Sequence, residues 1–438
     1  MKQLLIILSF CPFLATSQFI INSIKTPPGV IFERDMTWKQ IKEKAKKENK
    51  LIFVDCYASW CVPCKTMDSK IYPNDSLGDF MNQRFISVKV QIDTSKQDDE
   101  RTRAWYSDAH EIKIENSVVA FPTLIFYSTN GVKLHKAIGT KTVAEFISLG
   151  NEAMNPVTQY FTLVNNYKSG SLSYSSMVNL EKMARKVEEL DIANDIALTY
   201  IHNYLENLTD SEFLTKNNIS YMGSVYEILK SSDKIFKICY AHPDKVDKIV
   251  GRNAFSQNIV DYIVEKEELL PLLETNCHPK KIPNWSKIIT EIAYKYDSTL
   301  VKRITLNAKI KFYYALKDWK NYAKYLVLQT ENKGLDSVTH DFWTVNNFNG
   351  IVWDIFQFSK DPIELKKALL WANFNIQIAP FEMKPGLLDT KANLLYKLGK
   401  YHDALLLEEN AFNMEPNNKD IKAAFFKMKK GKPTWTIY

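Results

Sequence analysis

The chain has 438 residues, 45% of them hydrophobic, with 57 Lys and Arg against 50 Asp and Glu for a formal charge of +7. That length holds two or three domains, and the apolar fraction excludes a disordered polymer. Charges of both signs are interleaved along the chain, which argues against a nucleic-acid footprint, and six cysteines are too few for a disulfide-stapled scaffold.

Residues 1–17 read as an export signal. Lys2 supplies the charge, Leu4 to Leu14 the apolar core, and Ala15-Thr16-Ser17 a small-residue cleavage site before Gln18. The apolar run is too short to span a bilayer, and bulky Phe10 before Cys11 argues against lipid acylation of that cysteine. The expectation is an exported protein, periplasmic in a bacterium with two membranes, with no transmembrane segment after signal removal.

Thr37 then caps a Lys-rich helix from Trp38 to Lys50. Leu51 to Tyr57 reads as a strand, and Trp60-Cys61-Val62-Pro63-Cys64-Lys65 follows it directly. Two thiols three residues apart, where a strand hands over to a helix, can exchange electrons as a pair. The first lies at the helix N-terminus, where unpaired N–H groups favour an anion, so its pKa should fall toward thiolate. The second, about one turn on, can resolve a mixed disulfide. Metal chemistry finds less support. A structural zinc site wants a second knuckle, and no second Cys-x-x-Cys occurs. Cys56, Cys61 and Cys64 have an iron–sulfur spacing, but the next thiols are the distant Cys239 and Cys277. No metal and no cofactor are expected.

Ser87 to Asp93 reads as the next central strand. Phe121-Pro122-Thr123 leads into another, Asn130-Gly131 signals a hairpin turn, Val132 to Ile138 makes the last strand, and Val143 to Glu152 the closing helix. Together with Asp55-x-x-Ala58-x-Trp60-Cys61-x-Pro63-Cys64-Lys65, these segments resemble the thioredoxin family over about residues 30 to 155. Within it, the likeness is to exported domains such as the C-terminal domain of membrane electron-transfer thiol reductases. The resemblance implies an α/β thioredoxin-like fold and a set of roles. Cys61 is the attacking nucleophile and Cys64 the resolving thiol of a redox-active disulfide. Asp55 is a buried acid that accepts the Cys64 proton, and Lys89 is its partner. Trp60 is a platform for substrate and Pro63 tunes the motif. Pro122 is a cis-proline that presents Phe121 to a substrate strand. Disulfide- or thiol-containing proteins are the implied partners, with a membrane thiol carrier as electron donor.

From about Asn155 the pattern turns helical. Leu388 to Pro416, with Ala392, Leu395, Gly399, Tyr401, Ala404 and Ala411, fits a tetratricopeptide-like pair of helices. The preceding unit ends at Pro380, with Ala368 in the place of Ala404; fainter echoes lie at Tyr313 to Ala323 and Glu188 to Leu205. Trp319, Trp343, Trp353 and Trp371 read as core, and Cys239, His242, Cys277 and His278 as structural. The expected organisation is a signal (1–17), a thioredoxin-like domain (18–155), a degenerate all-α helical-repeat region (156–360) and tetratricopeptide-like C-terminal helices (361–438). The expected function is an exported thiol–disulfide oxidoreductase for cell redox homeostasis, reducing envelope-protein disulfides and binding partners through its helices. A non-catalytic scaffold and a disulfide isomerase are the alternatives.

Overall fold

The computed structural model describes residues 29–276, 282–335 and 338–436. The signal-like segment 1–17, Cys277 and His278 lie outside the described residues. The chain divides into two compact units, one ending at Thr209 and the other starting at Asp210.

The first unit is built on five strands: β1 (Phe32–Glu33), β2 (Leu51–Tyr57), β3 (Phe85–Gln91), β4 (Thr123–Tyr127) and β5 (Lys133–Ile138), in the order β1-β3-β2-β4-β5. β2 lies at the centre, parallel to β3 and antiparallel to β4. A central strand is covered on both faces, which is why its sequence is a near-continuous apolar run broken only by Asp55. The alternation of side chains sorts that run into two cores. Ile52, Val54 and Cys56 join Ile41, Val88 and Ile125 on one face. Phe53 joins Met67, Leu77, Phe126 and Phe146 on the other. Truncating a side chain as deeply buried as Phe53 costs about 3–5 kcal/mol.

Helix α1 (Trp38–Glu48) begins at a Thr37–Gln40 capping box and ends where Asn49 turns left-handed at φ 53°, two residues short of the Lys50 expected from sequence. A left-handed residue of this kind is a common helix stop. The parallel β2–β3 pairing needs a crossover. Helices α2 (Val62–Thr66) and α3 (Asp75–Arg84) supply it, joined through one π-helical turn at Met67–Ile71. Helix α4 (Tyr106–Glu115) leads toward β4, and α5 (Val143–Met154) closes the sheet domain behind its own Thr142–Glu145 capping box.

The compact unit does not stop where the sequence pattern changes. Helices α6 (Tyr160–Lys168), α7 (Tyr174–Lys186) and α8 (Leu190–Asn203) belong to it. Polar bonds on β5 hold them. The Tyr160 N–H donates to His135 Nδ1 at 3.0 Å, and the Lys136 ammonium reaches Glu189 at 2.9 Å. Tyr160 also donates its hydroxyl to Glu189 at 2.7 Å. Burial drops the His135 pKa to about 4, so the ring is neutral and free to accept that N–H.

The second unit is all helical in its described residues. Its last five long helices are Phe342–Phe358, Pro362–Ile378, Lys384–Lys397, Tyr401–Met414 and Lys419–Lys429. Ala368, Ala392, Ala404 and Ala411 are all fully buried, so small residues let these helices approach closely. Gly399, at φ 82°, supplies the left-handed turn between the third and fourth. Trp371 is buried as expected, but Trp343 is 71% exposed. It sits in the first turn of its helix, beyond the reach of the core. Among the described residues no helix is long and apolar enough to cross a membrane.

Candidate active site

Cys61 occupies the N-cap of α2, and its sulfur accepts the Cys64 N–H at 3.1 Å. The two cysteines are joined in a disulfide, with Cα atoms 5.3 Å apart. Pro63 falls in the first turn of the helix, where no intrahelical N–H bond is lost. The loop in front is pinned from the segment just after β3: Ser59 donates its N–H and its hydroxyl to the Asp93 carboxylate at 2.9 and 2.6 Å.

The oxidised pair is recessed. Cys61 is 2% exposed and Cys64 1%, whereas their neighbours Trp60 and Val62 are 67% and 69% exposed. Ala58, Tyr57 and Phe121 pack around the sulfurs. The family resemblance set Phe121 and Trp60 beside the dithiol; the fold adds how deeply the sulfurs lie beneath a Phe121 that arrives from a segment sixty residues away. The Phe121–Pro122 bond is cis. Register then aligns the neighbouring Thr123 with Cys56 on β2, which brings Phe121 to the dithiol. The Phe121 ring meets Trp60 edge to face, centroids 5.8 Å apart. Phe121, with Trp60 against its ring, therefore packs over the recessed Cys61–Cys64 pair.

Asp55 is fully buried on β2. Its side chain points to the face where Met67 and Tyr72 pack. Tyr72 donates its hydroxyl to Asp55 Oδ2 at 3.0 Å, and the Lys89 ammonium lies 3.8 Å from the same oxygen. Burial pushes the carboxyl pKa up from 3.8 to about 6, against the pull of Lys89 and the Tyr72 hydrogen bond. The β2–β3 register sets Lys89 directly opposite Asp55. Lys89 is not reserved for Asp55, however. It also forms an ion pair with Asp68, on the π-helical turn after α2, and lies 4.8 Å from the Tyr57 ring centre.

Tyr72 was missed in the sequence. It is 17 residues from Asp55, and the π-helical turn that delivers it leaves no mark in an ordinary helical pattern. The other described cysteines are of a different kind. Cys56 is buried in the sheet core, where burial and the charge of Asp55 drive its pKa well above the thiol range. Cys239 is buried in the helical unit and raised to about 11.

Residues 38–153 match the family model of a thioredoxin-like domain. Thioredoxin H4 of Arabidopsis thaliana is 33% identical over 102 residues, covering 23% of this chain and 71% of that protein. Thioredoxin Asp f 29 of Aspergillus fumigatus is 26% identical over 106 residues, 24% of this chain and 81% of that protein. The thiol:disulfide interchange protein DsbD of Colwellia psychrerythraea is 26% identical over 120 residues, 26% of this chain but 18% of that much longer protein. Through its sheet-bearing domain, the chain belongs to the thioredoxin family and is a thiol–disulfide oxidoreductase.

Proposed function

We propose that this protein is exported and reduces disulfides in envelope proteins, with its helical region, tetratricopeptide-like in the last units, binding the partners. The observation that carries the redox reading is the Cys61–Cys64 disulfide at the start of a helix, with Phe121 and exposed Trp60 beside it.

In the reduced enzyme, Cys61 at the helix N-cap is the thiolate, stabilised by the unpaired N–H groups there. Its sulfur attacks one sulfur of a substrate disulfide. The other substrate sulfur leaves as a thiolate and takes a proton from solvent. Cys64 then gives its proton to Asp55, whose pKa of about 6 leaves it ionised at neutral pH. The Cys64 thiolate attacks Cys61, releases the second substrate thiol and closes the disulfide seen here. Two electrons have moved from the enzyme dithiol to the substrate, so each cycle needs a two-electron donor, which we assign to a membrane thiol carrier. Lys89 holds the Asp55 pKa within range. Trp60 and the backbone at Phe121 and Pro122 receive the substrate chain, and Pro63 tunes the motif. Main-chain pairing of that kind gives affinity with loose sequence demands. Export is supported by the signal-like residues 1–17 and by the similarity to DsbD.

The test is insulin reduction with dithiothreitol as donor. The protein should accelerate insulin precipitation and Cys61→Ser should abolish the effect. Equal rates for the two proteins would reject catalysis and leave a binding scaffold. Rescue of scrambled ribonuclease in the absence of net reduction would favour an isomerase.

A further inference from the structure

Five lysines and two tryptophans converge on one cleft in the second unit. The cleft encloses about 930 Å3, a volume typical of small-molecule sites. Its walls come from the turn at residues 317–320, the turn at 357–362, Lys397 and the tail residue Trp435. Trp319 and Phe358 stack face to face there, centroids 4.3 Å apart and 14° from parallel. They form a stacked apolar pair in a lining otherwise rich in lysine.

Lys397 is the distinctive residue. It is half-buried, and its ammonium donates to the carbonyls of Phe356 and Gln357 and lies 5.2 Å from the Trp435 ring centre. No carboxylate pairs with it among the described residues. Burial, with the charge of Lys360, lowers its pKa to about 8. A half-buried cation held only by neutral carbonyls and ring faces leaves room for a counter-charge.

The acids lining the cleft do not supply that charge. Asp318 caps the helix Trp319–Lys333, accepting the N–H and side-chain amide of Asn321 at 3.1 and 2.7 Å. Asp361 caps the helix Pro362–Ile378 through the Ile363 N–H at 2.8 Å, and Glu364 accepts the Ser359 hydroxyl at 2.5 Å. Lys317, Lys320 and Lys324 line the mouth and form no ion pair among the described residues. The lining carries five lysines against three carboxylates, an excess of two positive charges.

We propose that this cleft binds a small organic carboxylate: the carboxylate sits on Lys397 under the lysines of the mouth, and an aromatic or apolar body lies against Trp319, Phe358 and Trp435. The single half-buried ammonium matches one negative charge. The lysines are point donors, each able to meet one carboxylate oxygen, and the phosphate control separates a monoanion from a dianion.

Calorimetric titration of the full chain with naphthalene-2-carboxylate tests this, with 2-naphthylmethanol, 2-naphthyl phosphate and acetate as controls. The carboxylate should bind at pH 7 at least ten-fold more tightly than any control. Lys397→Met should weaken it ten-fold or more and Lys397→Arg by less than three-fold. The exposed pair Lys320→Glu with Lys324→Glu should weaken it about three-fold with unchanged circular dichroism. That double variant decides the matter if Lys397→Met fails to fold. Equal binding of the alcohol, tighter binding of the phosphate, unchanged affinity in the variants, or no binding at millimolar ligand would each overturn the proposal.

Discussion

The two units bury acids in opposite ways. In the first, Asp55 has a cation 3.8 Å away and a tyrosine hydroxyl on the same oxygen, and its pKa rises only to about 6. In the second, Glu408 on the helix Tyr401–Met414 is just as deeply buried but faces another acid, Asp389 of the helix Lys384–Lys397. Burial and that like charge push Glu408 far above the carboxylate range, and burial, with a smaller push from Asp420 on the next helix, raises Asp389 to about 6. Burial alone therefore does not make an acid useful for proton transfer. For Asp55 the Lys89 countercharge and the Tyr72 hydroxyl bring the pKa back to where both forms are accessible near neutrality; Glu408, with neither, stays protonated and serves as packing.

The largest effect should separate the cysteines. Cys64→Ser should abolish turnover with insulin and accumulate a mixed disulfide on Cys61, read by non-reducing electrophoresis and mass spectrometry. Cys239→Ser should retain full turnover, because that thiol is buried and protonated at neutral pH. Loss of activity from Cys239→Ser would mean that redox chemistry is not confined to the first unit.

Next is the stability of Asp55. Its folded pKa is raised, so folding favours its protonated form. The destabilisation is absent below pH 3.8, grows as pH rises, and is complete above about pH 6. A shift of roughly two units at about 1.4 kcal/mol each makes Asp55→Asn more stable by on the order of 3 kcal/mol at pH 7 and by nearly nothing at pH 3.5. Urea denaturation at the two pH values checks this. The same variant should slow insulin reduction, having lost the proton acceptor.

Much of this was legible in the sequence, unevenly and for physical reasons. The dithiol, the strand before it and the proline before β4 are local signals, each carried by a few adjacent residues. Lys89 as the partner of Asp55 followed from the family resemblance, not from pairing geometry. Tyr72 and the Asp68–Lys89 pair did not, because they depend on a π-helical turn. The attachment of α6 to α8 through Tyr160, Lys136 and Glu189 was equally invisible, since a buried lysine reads from sequence as a surface charge. In the helical region the small alanines and Gly399 were readable. The cleft around Lys397 was not, as its lysines come from segments eighty residues apart.

Glu408 sharpens the comparison from the other side. It is protonated in the fold and ionised in the unfolded chain above pH 4.5, so the stability of the second unit should fall with rising pH by up to about 1.4 kcal/mol per unit. Glu408→Gln should flatten that slope and leave insulin reduction unchanged. A slope that survives the substitution would assign the pH response elsewhere. The smallest effect is expected at Lys89. Lys89→Met removes the countercharge, so the pH at which reduction rises should move upward while the maximal rate at high pH stays near that of the wild type. A profile that does not move would show that Lys89 serves Asp68 alone.

The reactivity of Cys61 bears most directly on the whole reading. The reduced protein should be pulsed with iodoacetamide between pH 4 and 10 and its modified cysteines mapped by mass spectrometry. Cys61 should be alkylated first, with an apparent pKa clearly below the ordinary thiol value of about 8.5, while Cys56 stays unmodified. If Cys61 reacts as slowly as Cys56, or only above pH 8.5, the pair at the start of α2 is a structural disulfide and not a redox centre.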